Sequence, residues 1–221
     1  MTVRIFALPG VYAPQDDTSV LVSALRREPA LGGADVLDVG TGSGALAVAA
    51  ARHGAATVTA VDVSLRAVLT ARLNARLAGY GRTVRVHRGD LLEPVRGRRF
   101  DLVLANPPYV PSPDPRLPER GPARAWDASG DGRAVVDRLC EQVPGLLGPG
   151  GVFLMVHSAL CGTEQTVRQL TSQGLETEVA DRWFVPFGPV LRERAEWLEA
   201  RGLIVPGQDK EELVVLRAQR P

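Results

Sequence analysis

The sequence predicts an α/β fold, a mostly parallel sheet with helices on both faces. Strand-like apolar runs alternate with helix-like segments through most of the chain. The first long run, Asp35 to Val39, opens through glycines into a helical pattern. The 221 residues, 45% hydrophobic and 23% charged, suit one domain spanning 1–221 with a sizeable core.

Taken in order, the elements begin with a helix from Thr18 to Arg27, capped by Asp16 or Asp17 and buried through Val20, Leu21, Ala24 and Leu25. After the strand Asp35 to Val39 comes a helix over Leu46 to Arg52, then a buried strand over Thr57 to Val63. Ser64 caps the next helix, whose stripe of Ala67, Val68, Ala71, Ala75 and Ala78 faces inward before Gly79 ends it. Val84 to His87 and Asp101 to Ala105 read as strands, the second leading into Asn106 and a proline-rich loop that runs to about Pro122. Ala134 to Leu147 has a helical pattern, and Gly148 to Gly151 reads as a tight turn before the strand Val152 to Val156. A helix over Thr163 to Gln173 follows. Strict alternation then fails: Glu176 to Phe184 is strand-like, Leu191 to Ala200 helical and Leu213 to Arg217 strand-like, a pattern that fits a hairpin across an inserted helix.

Composition narrows the function classes. Two cysteines, Cys140 and Cys161, are too few for a disulfide framework, and the N-terminus lacks a secretory layout, so a reducing cytoplasm is expected. No window approaches the roughly 20 apolar residues of a membrane span. Net charge is +1, which announces no nucleic-acid partner. Arg82, Arg85, Arg88, Arg96, Arg98 and Arg99 crowd one stretch, but Lys210 is the only lysine, so arginine bias accounts for much of it and a solvated face is expected.

The strongest local signal is Asp38-Val39-Gly40-Thr41-Gly42-Ser43-Gly44, where a strand meets a helix. Glycines there admit positive φ and let a ligand lie against bare backbone, and the helix N-terminus favours negative charge. A tight turn without a ligand is the plainer alternative. Asp62 shifts the balance, because it ends the neighbouring strand, and a carboxylate at that edge can accept both hydroxyl hydrogens of a ribose. A nicotinamide or flavin enzyme and a methyltransferase both remain open at this point, although Gly44 comes one position early for the dinucleotide fingerprint.

Two further segments discriminate. Asp90, in Gly89-Asp90-Leu91-Leu92, follows the third strand, where its carboxylate can accept from an adenine amino group or merely cap a helix. Asn106-Pro107-Pro108-Tyr109 stands at the mouth of the fourth strand. Its prolines lack N–H groups and stiffen the chain, so they hold a carbonyl in a fixed direction. With the Asn106 side-chain oxygen and the Pro107 carbonyl aimed at one point, an NH₂ group can donate both hydrogens and turn its lone pair elsewhere. The Tyr109 ring can stack on a planar substrate.

These residues resemble the class I methyltransferases with an Asn-Pro-Pro-Tyr motif, particularly the HemK/PrmC group of glutamine N5-methyltransferases acting on release factors. Val11-Tyr12-Ala13-Pro14-Gln15-Asp16-Asp17-Thr18 resembles that family's Tyr-Glu-Pro-x-Glu-Asp-Thr opening, and Ala125-Trp126, Gly132-Arg133 and Asp137-Arg138 resemble the segment after its motif loop. The resemblance implies a Rossmann-like, seven-stranded sheet with an antiparallel last strand, and S-adenosylmethionine as cofactor with S-adenosylhomocysteine as product. It implies that residues 1–30 pack over the cofactor, with Tyr12 and Thr18 at its methionine end. The cofactor-binding set is then Tyr12, Thr18, Asp38, Gly40, Thr41, Gly42, Gly44, Asp62, Val63, Asp90, Leu91 and Asn106; Asn106, Pro107 and Tyr109 are the catalytic set. Ala13 stands where the family has glutamate, and Ala128-Ser129 where short members often have two glycines. With the glycine motif starting at Asp38, the chain is expected to be a short form lacking the N-terminal helical domain of the bacterial enzymes. Some short members work with a small zinc-binding activator subunit.

The expected activity is methyl transfer to a substrate nitrogen. A glutamine amide leads, with a small metabolite, peptide natural product or nucleobase as alternative acceptor and a non-catalytic cofactor-binding module as a third reading. His53, His87 and His157 are scattered and the cysteines have no zinc spacing, so no metal site is expected. No G-x-S-x-G elbow supports a hydrolase.

Overall fold

A computed structural model describes residues 5–221; residues 1–4 of the opening segment lie outside it. The sheet has seven strands in the order β3-β2-β1-β4-β5-β7-β6. They are β1 (Asp35–Val39), β2 (Thr57–Asp62), β3 (Val84–Arg88), β4 (Phe100–Ala105), β5 (Leu147–Ser158), β6 (Glu176–Pro186) and β7 (Lys210–Gln219). Strands β1 to β5 pair in parallel, while β7 lies antiparallel to both β5 and β6. The central strands are continuous apolar runs because both faces are covered; Val36, Leu37, Leu102, Leu104, Leu154 and Met155 are fully buried.

The helices are α1 (Asp16–Arg27), α2 (Ala45–Arg52), α3 (Leu65–Leu77), α4 (Ala134–Gln142), α5 (Thr163–Ser172), α6 (Pro189–Glu193) and α7 (Ala195–Ala200). α1, α2 and α3 pack side by side, and α4 packs on α5. The chain steps outward from β1 to β3, then jumps back across β1 to β4. Right-handed crossovers on either side of that reversal put the two helix groups on opposite faces. The reversal opens a crevice at the carboxyl ends of β1 and β4, where ligands bind in such sheets.

Several boundaries differ from the sequence reading for physical reasons. α4 stops at Gln142 instead of reaching Leu147, because Pro144 has no N–H and crowds the preceding turn, so residues 143–146 tighten to a 3₁₀ turn. Gly148 to Gly151 is no separate turn. Leu147 pairs with Phe100 and Val152 with Leu102, so the glycines buckle out of β5 itself. The expected helix Leu191 to Ala200 is two short helices divided at Arg194. The predicted hairpin holds, with β6 and β7 paired from Glu176–Gln219 to Pro186–Lys210.

Candidate cofactor and acceptor site

A cavity of about 790 Å³ lies at the carboxyl edge of the sheet, between the opening segment, the turns after β1 to β4 and the α6 segment. Its wall along β1 and β2 is built first by backbone. The amides of Gly40 and Thr41 donate to the Val61 carbonyl at 2.9 and 3.0 Å, fastening the glycine turn to β2. Asp62 Oδ2 then accepts from Gly42 N at 2.9 Å and Oδ1 from Ser64 N at 2.8 Å, which aims the carboxylate along the cavity wall. Burial raises its pKa, opposed by those amides. Each carboxylate oxygen keeps a lone pair, so the group fits a ribose diol, and the bare backbone of Gly40 and Gly42 fits a ligand lying close.

Ten of the twelve expected cofactor residues line this cavity, from Tyr12 and Thr18 through Gly40, Thr41, Gly42, Asp62, Val63, Asp90 and Leu91 to Asn106. The other two sit behind it. Asp38 is fully buried; its Oδ2 accepts from Thr41 Oγ1 at 2.5 Å and Ala47 N at 3.0 Å, tying the end of β1 to the start of α2. Burial pushes its carboxyl up to about 7. Gly44 N-caps α2 at φ +82°, and a Cβ there would lie 2.9 Å from the Cα and Cβ of Ala71, so it serves close packing of α2 on α3. Asp90 is ion-paired with Arg138 of α4, so any adenine amino group shares that carboxylate with a guanidinium. Leu91 beside it holds φ +44°, a left-handed conformation costing roughly 1–2 kcal/mol for a residue with a Cβ.

On the acceptor side, Asn106 Nδ2 donates to Thr18 Oγ1 at 3.5 Å. Neither Asn106 Oδ1 nor the Pro107 carbonyl has a protein donor among the described residues. Tyr109 lines the same cavity and is held firmly from behind. Its ring is only 9% exposed, its hydroxyl donates to Asp17 Oδ2 at 3.1 Å, and its carbonyl receives the Cys161 thiol at 3.0 Å. Gly132 passes so close that a Cβ would meet that carbonyl oxygen at 2.3 Å, which explains the Gly132-Arg133 segment behind the motif. Arg133 itself is buried, donating to the carbonyls of Cys161 and Gly162.

Asp17 was expected as a helix cap, but no side chain caps α1. Its carboxylate accepts instead from Tyr12 Oη, Tyr109 Oη and the Thr18 amide. The loop after Tyr109 is closed at its base by Val110 N to Trp126 O and Ala128 N to Val110 O. Asp127 then forms a two-pronged ion pair with Arg194, at 2.6 and 3.1 Å, fixing the α6–α7 segment against the loop. Ser129 holds φ +67°, a conformation glycine adopts without strain, whereas Ala13 is exposed and off the cavity wall. Sequence reading also missed Glu211, a buried carboxylate on the cavity wall that no motif marks.

The arginine stretch divides. Arg98 donates to Thr59 and Asp35 and lies 4.7 Å over the Phe100 ring, at the amino ends of the strands, opposite the cavity. Of the six, Arg88 alone lines the cavity among the described residues, its Nε donating to the Val63 carbonyl. No helix among the described residues is long and apolar enough to cross a membrane.

On this sheet, a glycine turn with Asp62 and the unpaired oxygens of Asn106 and Pro107 line one cavity, the layout expected of a Rossmann-like methyltransferase that uses S-adenosylmethionine. Residues 2–115 match the family described as the methyltransferase small domain. The chain is 34% identical over 185 residues to a Methanocaldococcus jannaschii protein named as a protein N5-glutamine methyltransferase, covering 84% of this chain and 91% of that one. It is 39% identical over 172 residues to the release factor glutamine methyltransferase of Geobacter sulfurreducens, covering 75% of this chain and 58% of the relative, so it spans little more than half of that bacterial enzyme. The chain belongs to the methyltransferase small-domain family and, within it, to the HemK/PrmC group.

Solved structures share the fold. The ribosomal protein L11 methylase of Lactobacillus delbrueckii superposes with a TM-score of 0.63 at 20% identity, over 99% of this chain and 86% of that one. An E. cuniculi complex, Mtq2–Trm112, described as responsible for methylation of the termination factor eRF1, gives a TM-score of 0.61 at 23% identity, over 96% of this chain and 99% of that one.

Proposed function

We propose that the enzyme methylates the side-chain amide nitrogen of a glutamine in a protein substrate, the activity for which its relatives are named. The observation that carries this reading is the pair of unpaired acceptors, Asn106 Oδ1 and the Pro107 carbonyl, at the mouth of β4 beside the cofactor cradle. An amide nitrogen is a poor nucleophile because its lone pair is delocalised. Two acceptors that take its hydrogens favour a pyramidal nitrogen and turn the lone pair toward the methyl group. Bound S-adenosylmethionine supplies the electrophilic methyl on a sulfonium. Asp62 holds the ribose, Gly40 and Gly42 admit the close approach, and the motif prolines keep the clamp rigid.

Incubation with labelled cofactor and a release-factor domain, read by mass spectrometry of the modified residue, tests this. Methyl on the glutamine nitrogen is the expected result; methyl found only on a metabolite, peptide or nucleobase overturns it.

The partner proposed alongside is a small protein subunit, of the kind in the E. cuniculi complex. Leu65, Leu69, Leu73 and Leu77 recur every fourth residue on α3 and all are exposed, next to β3, one of the two edge strands. Copurification on coexpression with such a subunit tests it. Two buried free thiols, Cys140 and Cys161, suit the reducing cytoplasm in which we place the reaction.

A further inference from the structure

The cavity is lined by several carboxylates, and nearly all of them are committed. Asp17 holds two phenols and an amide, Asp62 two amides, Asp90 the Arg138 guanidinium and Asp127 that of Arg194. Glu119 stands exposed on the loop. Glu211 is different. It is 7% exposed, lines the cavity, and its Oε2 is buried without a hydrogen-bond partner among the described residues.

Its position follows from the reversal of β7. Because β7 runs against β5, its first residues, not its last, reach the carboxyl edge of the sheet; Leu213 pairs with Ser158, the last residue of β5, and Glu211 stands two residues nearer the cavity. That places it on the β5–β7 side of the crevice, on the same side of β1 as Asn106 and Pro107 after β4 and on the opposite side from Asp62 at the end of β2.

We propose that Glu211 takes up the proton that the acceptor nitrogen sheds during methyl transfer, a role that rests on the amide-methylation reading above. Transfer forms one N–C bond and breaks one C–S bond, whose electron pair stays on sulfur. The nitrogen then carries one hydrogen too many and releases it as a proton. Neither clamp oxygen can keep that proton, since both belong to amides, which are very weak bases. Tyr12 and Tyr109 cannot accept it either, because burial and the adjacent Asp17 hold both phenols protonated. The Glu211 carboxylate accepts it, directly or through one water, becomes the neutral acid and returns it to solvent through the cavity.

The surroundings suit a base working near neutral pH. Burial pushes the Glu211 carboxyl up to about 7, Asp17 on α1 pushes the same way, and the Ser158 hydroxyl of β5 opposes them. Tyr12, Tyr109 and Cys161 all face its charge. No arginine or lysine pairs with it among the described residues.

The test compares wild type, Glu211→Gln and Glu211→Asp on a glutamine-bearing release-factor domain, from about pH 5.5 to about pH 9. The wild-type kcat should rise with pH through about 7. Glu211→Gln should lower kcat on the order of a hundredfold and flatten that rise, with S-adenosylhomocysteine affinity within about threefold of wild type. Glu211→Asp should keep a pH-dependent rise at reduced kcat. Since Glu211→Gln removes a charge that no arginine or lysine pairs with among the described residues, it should fold, and retained cofactor-product binding verifies that it does. An unchanged kcat and pH profile in Glu211→Gln overturns this role alone. A wild type that does not methylate glutamine overturns the amide reading, and this role with it.

Discussion

Tyr12 and Tyr109, approaching from the opening segment and from the motif after β4, donate their hydroxyls to the same oxygen of Asp17, at 2.7 and 3.1 Å. The clasp joins the opening segment, proposed to lie over the cofactor, to the motif proposed to hold the acceptor. Asp17→Ala should leave two phenols without their acceptor, each at about 1–3 kcal/mol, for a total loss of about 2–6 kcal/mol in urea unfolding of the ligand-free protein. Asp17→Asn keeps an acceptor oxygen and should cost less. An Asp17→Ala variant as stable as wild type would show that water replaces the carboxylate.

Asn106→Ala should cut turnover on the order of a hundredfold or more while leaving cofactor affinity within a few-fold, because the clamp acts on the nucleophile and mainly in the transition state. Asn106→Asp keeps an acceptor of the same size beside the sulfonium and should retain partial activity. Single-turnover kinetics separate the two effects, and near-normal rates for Asn106→Ala would remove the residue from the mechanism.

Asp62→Ala should weaken S-adenosylhomocysteine binding by about 1.5–3 kcal/mol, the worth of hydrogen bonds to a charged acceptor. The Gly42 and Ser64 amides lose their acceptor as well, which works in the same direction. Calorimetry should give this result with S-adenosylhomocysteine and no heat with NAD; tight NAD binding would overturn the cofactor assignment for this cradle.

The same burial that makes Glu211 a candidate base strains the folded state. Its folded pKa of about 7 lies above the ordinary glutamate value of 4.5, so folding favours the protonated form. Stability linked to this group is therefore full below about pH 4.5 and falls as pH rises through about 7. Glu211→Gln should raise the melting temperature of the ligand-free protein at about pH 8, by the equivalent of about 1–3 kcal/mol, and change it little at about pH 5. Equal effects at both pH values would contradict a buried, titrating carboxylate.

Much of this architecture is legible in the sequence because the core strands are apolar on both faces. β1 at Asp35–Val39 needs only its composition and the glycines after it. What escapes depends on partners distant in the chain. Nothing near Glu211 marks a glutamate that becomes buried only when β7 folds back along β5. Asp17 looks like a cap because its two tyrosines lie 5 and 92 residues away. Asp38 and Gly44 share a motif with Gly40 and Gly42, yet the turn sends them behind the cavity, and one-dimensional spacing does not reveal which way each faces.

The segment between Pro186 and Lys210 leaves and rejoins the sheet at one paired position and carries a small apolar cluster of its own, Phe187, Leu191, Leu198 and Ile204. Its stem fixes the distance its ends must span, so the cost of closing it varies only slowly with what lies inside. The enzyme thus has the layout of a cassette. Residues 188–191 form one wall of the cavity, while the wall proposed for the nucleoside is built from the turns after β1 to β3. Grafting residues 187–209 from a relative with another acceptor, with the Arg194 anchor to Asp127 retained, offers a way to retarget the methyl group while leaving the cofactor half untouched.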